Sequence, residues 1–192
     1  MRNIWLKTPG RTGSHRVLDY FLQWHGLEIH QARQHEQGDS IHPNSIYHDH
    51  SPWSDTTPTP EFYSKMTEAG FRLMVSLRRN RVEQAMSHFI ALECDEWAHT
   101  RDVVRPEPFC IDCTEFDRHL WSIIEWERTI PQSAQRIYFE DGIYPLKLMH
   151  PPRRKYKHAP TRIVSRATPW IKQELVLNYN ELANTFKHYN ES

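Results

Sequence analysis

Residues 3–22 read NIWLKTPGRTGSHRVLDYFL, and their order decides the fold. Asn3 to Thr8 is a short apolar strand candidate, and from Gly13 onward Val17, Leu18, Phe21 and Leu22 recur at helical spacing. Between the two lie Gly10, Arg11, Thr12, Gly13, Ser14 and His15. A Gly-rich turn at a strand-to-helix junction aims backbone N–H groups and the positive end of a helix dipole at one spot, which suits a phosphate or sulfate.

The same unit recurs downstream. Phe71 to Leu77 (FRLMVSL) is nearly continuous in apolar residues, as a buried parallel strand is. Val82, Ala85, Met86, Phe89 and Ile90 then form one stripe on a helix from about Asn80 to Glu93. Leu27 to His30, Ser45 to His50 (SIYHDH) and Arg136 to Phe139 are further strand candidates. Pro60 to Ala69, the segment marked by Phe116, Leu120, Ile123, Ile124 and Ile130, and Ile171 to Phe186 are further helix candidates. Alternating strands and helices predict an α/β fold of three layers, a mostly parallel sheet with helices on both faces.

At 192 residues the chain suits one domain, residues 1–192, with a sizeable core. Lys plus Arg equals Asp plus Glu at 24 each, so no global basic field favours nucleic acid, and an anion site has to be local. No apolar run reaches the roughly 20 residues of a membrane span, and the N-terminus has no signal-peptide pattern. A cytoplasmic protein is the expectation. The three cysteines form no even framework; Cys110 and Cys113 have C-x-x-C spacing without a second pair, so plain thiols are expected ahead of a zinc or redox site. Trp97, Trp121 and Trp126 either line an acceptor pocket or pack in the interior, the latter being favoured.

In an open parallel sheet ligands sit at the carboxyl ends of the strands, so the basic turns after residues 8 and 77 are the places to look. The second offers Arg78-Arg79-Asn80, with Ser87 eight residues beyond Arg79. Neither G-x-x-x-x-G-K-[ST] nor G-x-G-x-x-G occurs, which argues against a P-loop triphosphatase or a dinucleotide fingerprint.

The chain resembles the sulfotransferases that use 3′-phosphoadenosine 5′-phosphosulfate (PAPS), over roughly residues 3 to 141. Pro9-Gly10-Arg11-Thr12-Gly13-Ser14 is similar to the family's P-x-K-T-G-T loop, with Arg11 in place of the usual Lys, as in related bacterial enzymes. Arg79 and Ser87 match the spacing of the family's Arg and Ser for the 3′-phosphate. Tyr138-Phe139-Glu140-Asp141 resembles the Y-E-D run after a later strand, and SIYHDH resembles the strand ending in the catalytic His, which aligns His50 with the base and His48 with a position often Lys. The family's late R-K-G motif is missing.

The resemblance implies a PAPS-dependent enzyme, with 3′,5′-bisphosphate (PAP) as product, that needs no metal. It transfers a sulfuryl group to an acceptor hydroxyl or amine on a small molecule or carbohydrate. Gly10, Arg11, Thr12, Gly13, Ser14 and His15 fall at the phosphosulfate, and Arg79 and Ser87 at the 3′-phosphate. His50, assisted by Arg11 and His48, falls at the chemistry. An imidazole suits proton removal near neutral pH. Glu36 is the rival base, because some bacterial relatives use a Glu there. His48-Asp49-His50 is a poor metal site, since residues i and i+2 of a strand share one face and Asp49 falls on the other, so the three cannot converge without a bend. Between Asp141 and Glu174 there is no acidic residue but eight Lys or Arg, either a solvated loop or a flap over an anion. A nucleotide kinase and a catalytically silent nucleotide-binding module remain the alternatives. The acceptor and the oligomeric state are not encoded in any readable motif.

Overall fold

The structure, a computed structural model, describes residues 3–31, 42–50, 60–94, 105–152 and 171–190. Glu36, Trp97 and the basic run from Arg153 to Arg166 lie outside the described residues.

Strand β1, Ile4–Thr8, is buried at every position, and helix α1, Ser14–His25, follows it and ends on Gly26 at φ 62°. Gly takes that left-handed cap without the Cβ penalty other residues meet. The chain continues through β2 (Glu28–Gln31), β3 (Ser45–His50), α2 (Pro60–Glu68), β4 (Arg72–Leu77), α3 (Arg81–Glu93), α4 (Cys113–Arg128) and β5 (Gln135–Tyr138). A 3₁₀ turn, Phe139–Asp141, leads to α5 (Tyr144–Met149); α6 (Lys172–Leu175), α7 (Tyr179–Thr185) and a last 3₁₀ turn, Lys187–Tyr189, complete it.

The chain forms two compact units. The first contains residues 1–77 and 126–163, the second residues 78–125 and 164–192. The first holds a five-stranded, all-parallel sheet of order β2-β3-β1-β4-β5. Side chains alternate across it as the twofold strand period requires. Ile4, Leu6, Ile46, Met74 and Ile137 pack under Val17, Leu18 and Phe21 of α1 and Leu146 of α5. Trp5, Tyr47, Leu73, Val75 and Leu77 pack on the other face against Tyr63 of α2, Trp126 and Ile130. Helices therefore cover both faces, as the alternating pattern predicts. Trp126 is core, 2% exposed.

Helix α1, after β1, packs on one face and α2, after β3, on the other, so the carboxyl edge between these neighbouring strands is a topological switch point, the usual ligand position of an open α/β sheet.

In the second unit Val82, Ala85, Met86 and Ile90 of α3 pack with Ile111, Phe116 and Leu120 and with Leu175, Val176, Leu182 and Phe186. Here one expectation fails. Ile171 to Phe186 is not one helix, because Val176 is extended (φ −96°, ψ 102°) and bridges Phe109 in parallel. The Phe109 N–H donates to the Leu175 carbonyl at 2.8 Å and the Leu177 N–H to the Phe109 carbonyl at 2.9 Å. The Asn178 side chain accepts from the Ile111 N–H at 3.1 Å and donates to its carbonyl at 2.8 Å. Two backbone hydrogen bonds and two from the Asn178 side chain, all to a distant segment, thus outweigh the helical periodicity. Cys113 opens α4, and the Asp112 side chain accepts from the Glu115 N–H at 2.9 Å. All three cysteines are free thiols.

Candidate functional site

The loop from Pro9 to Gly13 turns in left-handed backbone geometry. Gly10 has φ 66°, Arg11 φ 53° and Gly13 φ 74°. Left-handed conformation is open to Gly but costs an arginine about 1–2 kcal/mol, strain of a kind that collects at binding sites. Gly13 is the N-cap of α1 and has no side chain to cap it, and the first turn carries no acidic residue. The helix dipole at this end is offset by nothing on its own first turn, whereas a protein without a ligand there gains by placing Asp, Glu or Ser at that point. Thr12 adds a second sign. It is 1% exposed, and its hydroxyl has no hydrogen-bond partner among the described residues.

Three neighbours hold this loop in place. Ser76 of β4 donates its hydroxyl to the Thr12 carbonyl at 3.0 Å. Phe139 closes from the other side, so near Gly13 that a Cβ there would lie 2.5 Å from the ring. The Arg16 guanidinium stacks 4.5 Å from the centre of the same ring, which keeps its charge on the first turn of α1. The Tyr-Phe-Glu-Asp run thus meets the loop through Phe139, while Glu140 and Asp141 are exposed.

Strand register sets the histidines. Thr8 lies directly beside His50 and Leu6 beside His48, so the backbone of His50 sits at the carboxyl end of β3, next to the residue from which the loop departs. His48 is buried on the α1 side, its ring 6.4 Å from that of His15. Asp49 points the opposite way, where its carboxylate meets the Lys7 ammonium at 2.5 Å; the two are 6% and 2% exposed. Lys7 also lies over the Phe62 ring at 4.9 Å. His48 and Asp49 thus face opposite sides of the sheet, and no cluster of three metal-ligating side chains occurs among the described residues.

In the second unit Arg79 is half-buried and Ser87 buried. Ser87 donates its hydroxyl to the Glu83 carbonyl one turn back, at 2.8 Å. The N-terminus of α3 is already capped, since the Asn80 side chain accepts from the Glu83 N–H at 2.9 Å. The Glu83 carboxylate takes the Lys172 ammonium at 2.5 Å and the Tyr179 hydroxyl, with Arg78 at 3.9 Å. Burial alone would raise the Glu83 pKa, but the hydrogen bonds from Lys172 and Tyr179 and the charges of Lys172 and Arg78 outweigh it and lower it. Tyr179, partly buried and donating to that carboxylate, is pushed up to about 12. This helix start differs sharply from that of α1, because a protein carboxylate already serves its cations.

Sequence reasoning missed Ser76, the Lys7–Asp49 pair and the place of Phe139 against Gly13. Only for Lys7 was there a signal, a charge inside an otherwise apolar strand, which has to find a partner when buried.

No protein-family profile matches the chain, and no curated protein matches it. The fold and the site define a class no narrower than an α/β protein with an all-parallel sheet and a Gly-rich, basic loop at its carboxyl edge.

Proposed function

We propose that this protein is a sulfotransferase of the PAPS-dependent type, with the loop from Gly10 to His15 receiving the 5′-phosphosulfate. The observation that carries this reading is the start of α1: an uncapped helix dipole, reached through left-handed Gly10, Arg11 and Gly13, with an unpartnered buried Thr12 hydroxyl and no acidic residue in the first turn. Such an end stabilises an oxyanion group without a metal.

In the proposed reaction an acceptor oxygen attacks the sulfur in line, the bond from sulfur to the phosphate oxygen breaks, and PAP leaves with the electron pair. Charge gathers on that bridging oxygen, where the permanent charge of Arg11 and the loop amides are worth most. His50, whose backbone pairs beside Thr8, takes the acceptor proton in this reading. Arg79 and Ser87 keep the 3′-phosphate as their proposed ligand.

A second reading draws on α3. Because Asn80 caps that helix and Ser87 donates to Glu83, a nucleotide with one phosphate cradle, held by a phosphotransferase or a silent binding module, is the rival. Thermal shift separates the two. PAP added without magnesium raises the melting temperature in the first reading, equivalent to about 2.7 kcal/mol at a hundred times its Kd. Adenosine 5′-phosphosulfate, lacking the 3′-phosphate, shifts it less. Equal shifts from the two ligands support the rival, and no shift from either overturns both.

A further inference from the structure

We propose that residues 139–150 form a strap along α1, fastened at its far end by a His150 latch that opens when the imidazole gains a proton and so loosens the loop around Gly13. The inference stands whichever anion that loop receives.

The strap follows α1 from one end to the other, inside the first unit. At the start of α1 Phe139 lies against Gly13, with the Arg16 guanidinium 4.5 Å from the centre of its ring. Midway, the fully buried Leu146 joins the core formed by Val17, Leu18 and Phe21. At the end of α1 the His150 carbonyl accepts from the Tyr20 hydroxyl and lies 3.3 Å from His25 Nε2, and the His150 ring stands edge-on to Phe21 with 5.2 Å between centres. Between these points the strap has little hold of its own. Helix α5 has six residues and no side-chain cap at Ile143, and its Tyr144, Leu148 and Met149 side chains face water. A helix so short does not persist in water without tertiary support, so the fastening at its ends decides whether it stays.

The ring of His150 fits its place only when neutral. Its Nδ1 lies 3.4 Å from Arg72 Nη1, and its Nε2 lies 3.2 Å from Gln135 Oε1 and 3.3 Å from the same Nη1. One tautomer serves both neighbours, with Nε2–H donating to Gln135 and Nδ1 accepting from Arg72. The Gln135 amide nitrogen is turned to the Met149 sulfur at 2.9 Å, which leaves its oxygen for His150. A protonated ring would instead point an N–H at a permanent cation, in a place only 5% exposed. The charged and titratable groups that face the ring are Arg72 from β4 and Tyr20 and His25 from α1, while β5 supplies the neutral Gln135; none of them is a carboxylate. Burial, then Arg72, then His25 accordingly hold His150 down to about 4. A released ring in water returns to about 6.5, so the open strap binds the proton more tightly and a fall in pH favours opening. Between pH 7 and pH 5 the opening equilibrium rises about 20-fold.

The test is amide hydrogen exchange of the full chain at pH 7 and pH 5, corrected for the intrinsic effect of pH, in peptides covering 140–150, 10–16, β1 and β4. The strap is expected to be less protected than β1 and β4 at both pH values and to open about 20-fold more at pH 5, with residues 10–16 following it. His150→Gln keeps an amide for hydrogen bonding but cannot titrate, and is expected to abolish the pH response of the strap. Arg72→Met, followed by NMR of the His150 ring, is expected to raise its titration midpoint toward 6.5, and it carries the test alone if His150→Gln does not fold. A pH response unchanged in His150→Gln, or a midpoint unmoved in Arg72→Met, overturns the proposal. So does a strap that loses protection only together with β1 and β4, which is unfolding of the whole unit. A loop at 10–16 that stays protected while 140–150 opens overturns it too.

Discussion

Replacing Gly13 by Ala tests how the loop is built, because two separate penalties meet at one atom. The backbone there has φ +74°, and an added Cβ would lie 2.5 Å and 3.0 Å from two carbons of the Phe139 ring. The left-handed conformation costs about 1–2 kcal/mol in any residue with a Cβ. Pushing the ring aside costs about 1–3 kcal/mol more, the range for overpacking, and also disturbs the stack with Arg16. Alanine recovers about 0.4–1 kcal/mol by restricting the unfolded chain. The net loss is therefore about 2–4 kcal/mol, with a fall in melting temperature on the order of 4–16 °C for a chain of this size. Gly70 provides the control, for it has φ +85° and nothing within 4 Å of a Cβ. Gly70→Ala bears the backbone penalty alone, about 1 kcal/mol once the unfolded-state gain is included. Urea denaturation of both variants, and of Gly13→Ala in a Phe139→Ala background, completes a cycle in which the steric part disappears when the ring does. Equal losses for Gly13→Ala and Gly70→Ala, or a Gly13→Ala loss unchanged without Phe139, would refute the contact.

Four other outcomes are expected. Lys7→Met or Asp49→Leu alone costs about 3–5 kcal/mol in denaturant unfolding, since each strands a buried charge, whereas the two together restore most of the loss. Arg11→Gly is neutral or slightly stabilising through relief of its positive φ, yet weakens PAP at least tenfold by calorimetry; unchanged affinity would remove Arg11 from the site. Ser76→Ala costs about 1 kcal/mol and loosens the loop, visible as faster amide exchange at Thr12 and Gly13. Acid weakens the fold through two histidines: burial and the His88 charge hold His119 down to about 3, and burial, Arg72 and His25 hold His150 down to about 4. Both pKa values lie below the unfolded value near 6.5, so the unfolded state binds more protons and stability is full above pH 6.5. It is lost as pH falls toward 4, about 2 kcal/mol per group at pH 5. A flat stability from pH 7 to 5 would contradict both.

Much of the fold was legible because local pattern and tertiary structure agree. The apolar run before Gly10 and the stripe from Val17 to Leu22 form the strand and helix that their spacing predicts, and Gly26 stops the helix where a left-handed cap fits. The stripe from Val82 to Ile90 is likewise core of its own unit. The C-terminal segment shows where such reasoning stops. Helical spacing from Ile171 to Phe186 is real, but Val176 belongs to a bridge with Phe109, a partner 67 residues away that no window of local sequence contains. The site divides the same way. The glycines of the first loop announce their backbone geometry, so the left-handed turn was readable. Ser76 acts on it from β4 and Phe139 from the 3₁₀ turn after β5, and no periodicity links them to Gly13. Ser87 carried a local warning, since a serine inside a helix tends to donate to the carbonyl four residues back, as it does to Glu83.

The pairing of Lys7 with Asp49 reaches beyond its energy. Adjacent parallel strands rich in Ile, Leu and Tyr would tolerate several alignments, each nearly as greasy as the next. With one cation and one anion facing each other across β1 and β3, a slide of one residue would send the two charges to opposite sides of the sheet, each facing hydrocarbon alone. The ion pair thus acts as a proofreader of assembly, and the correct alignment is also the one that sets Thr8 next to His50.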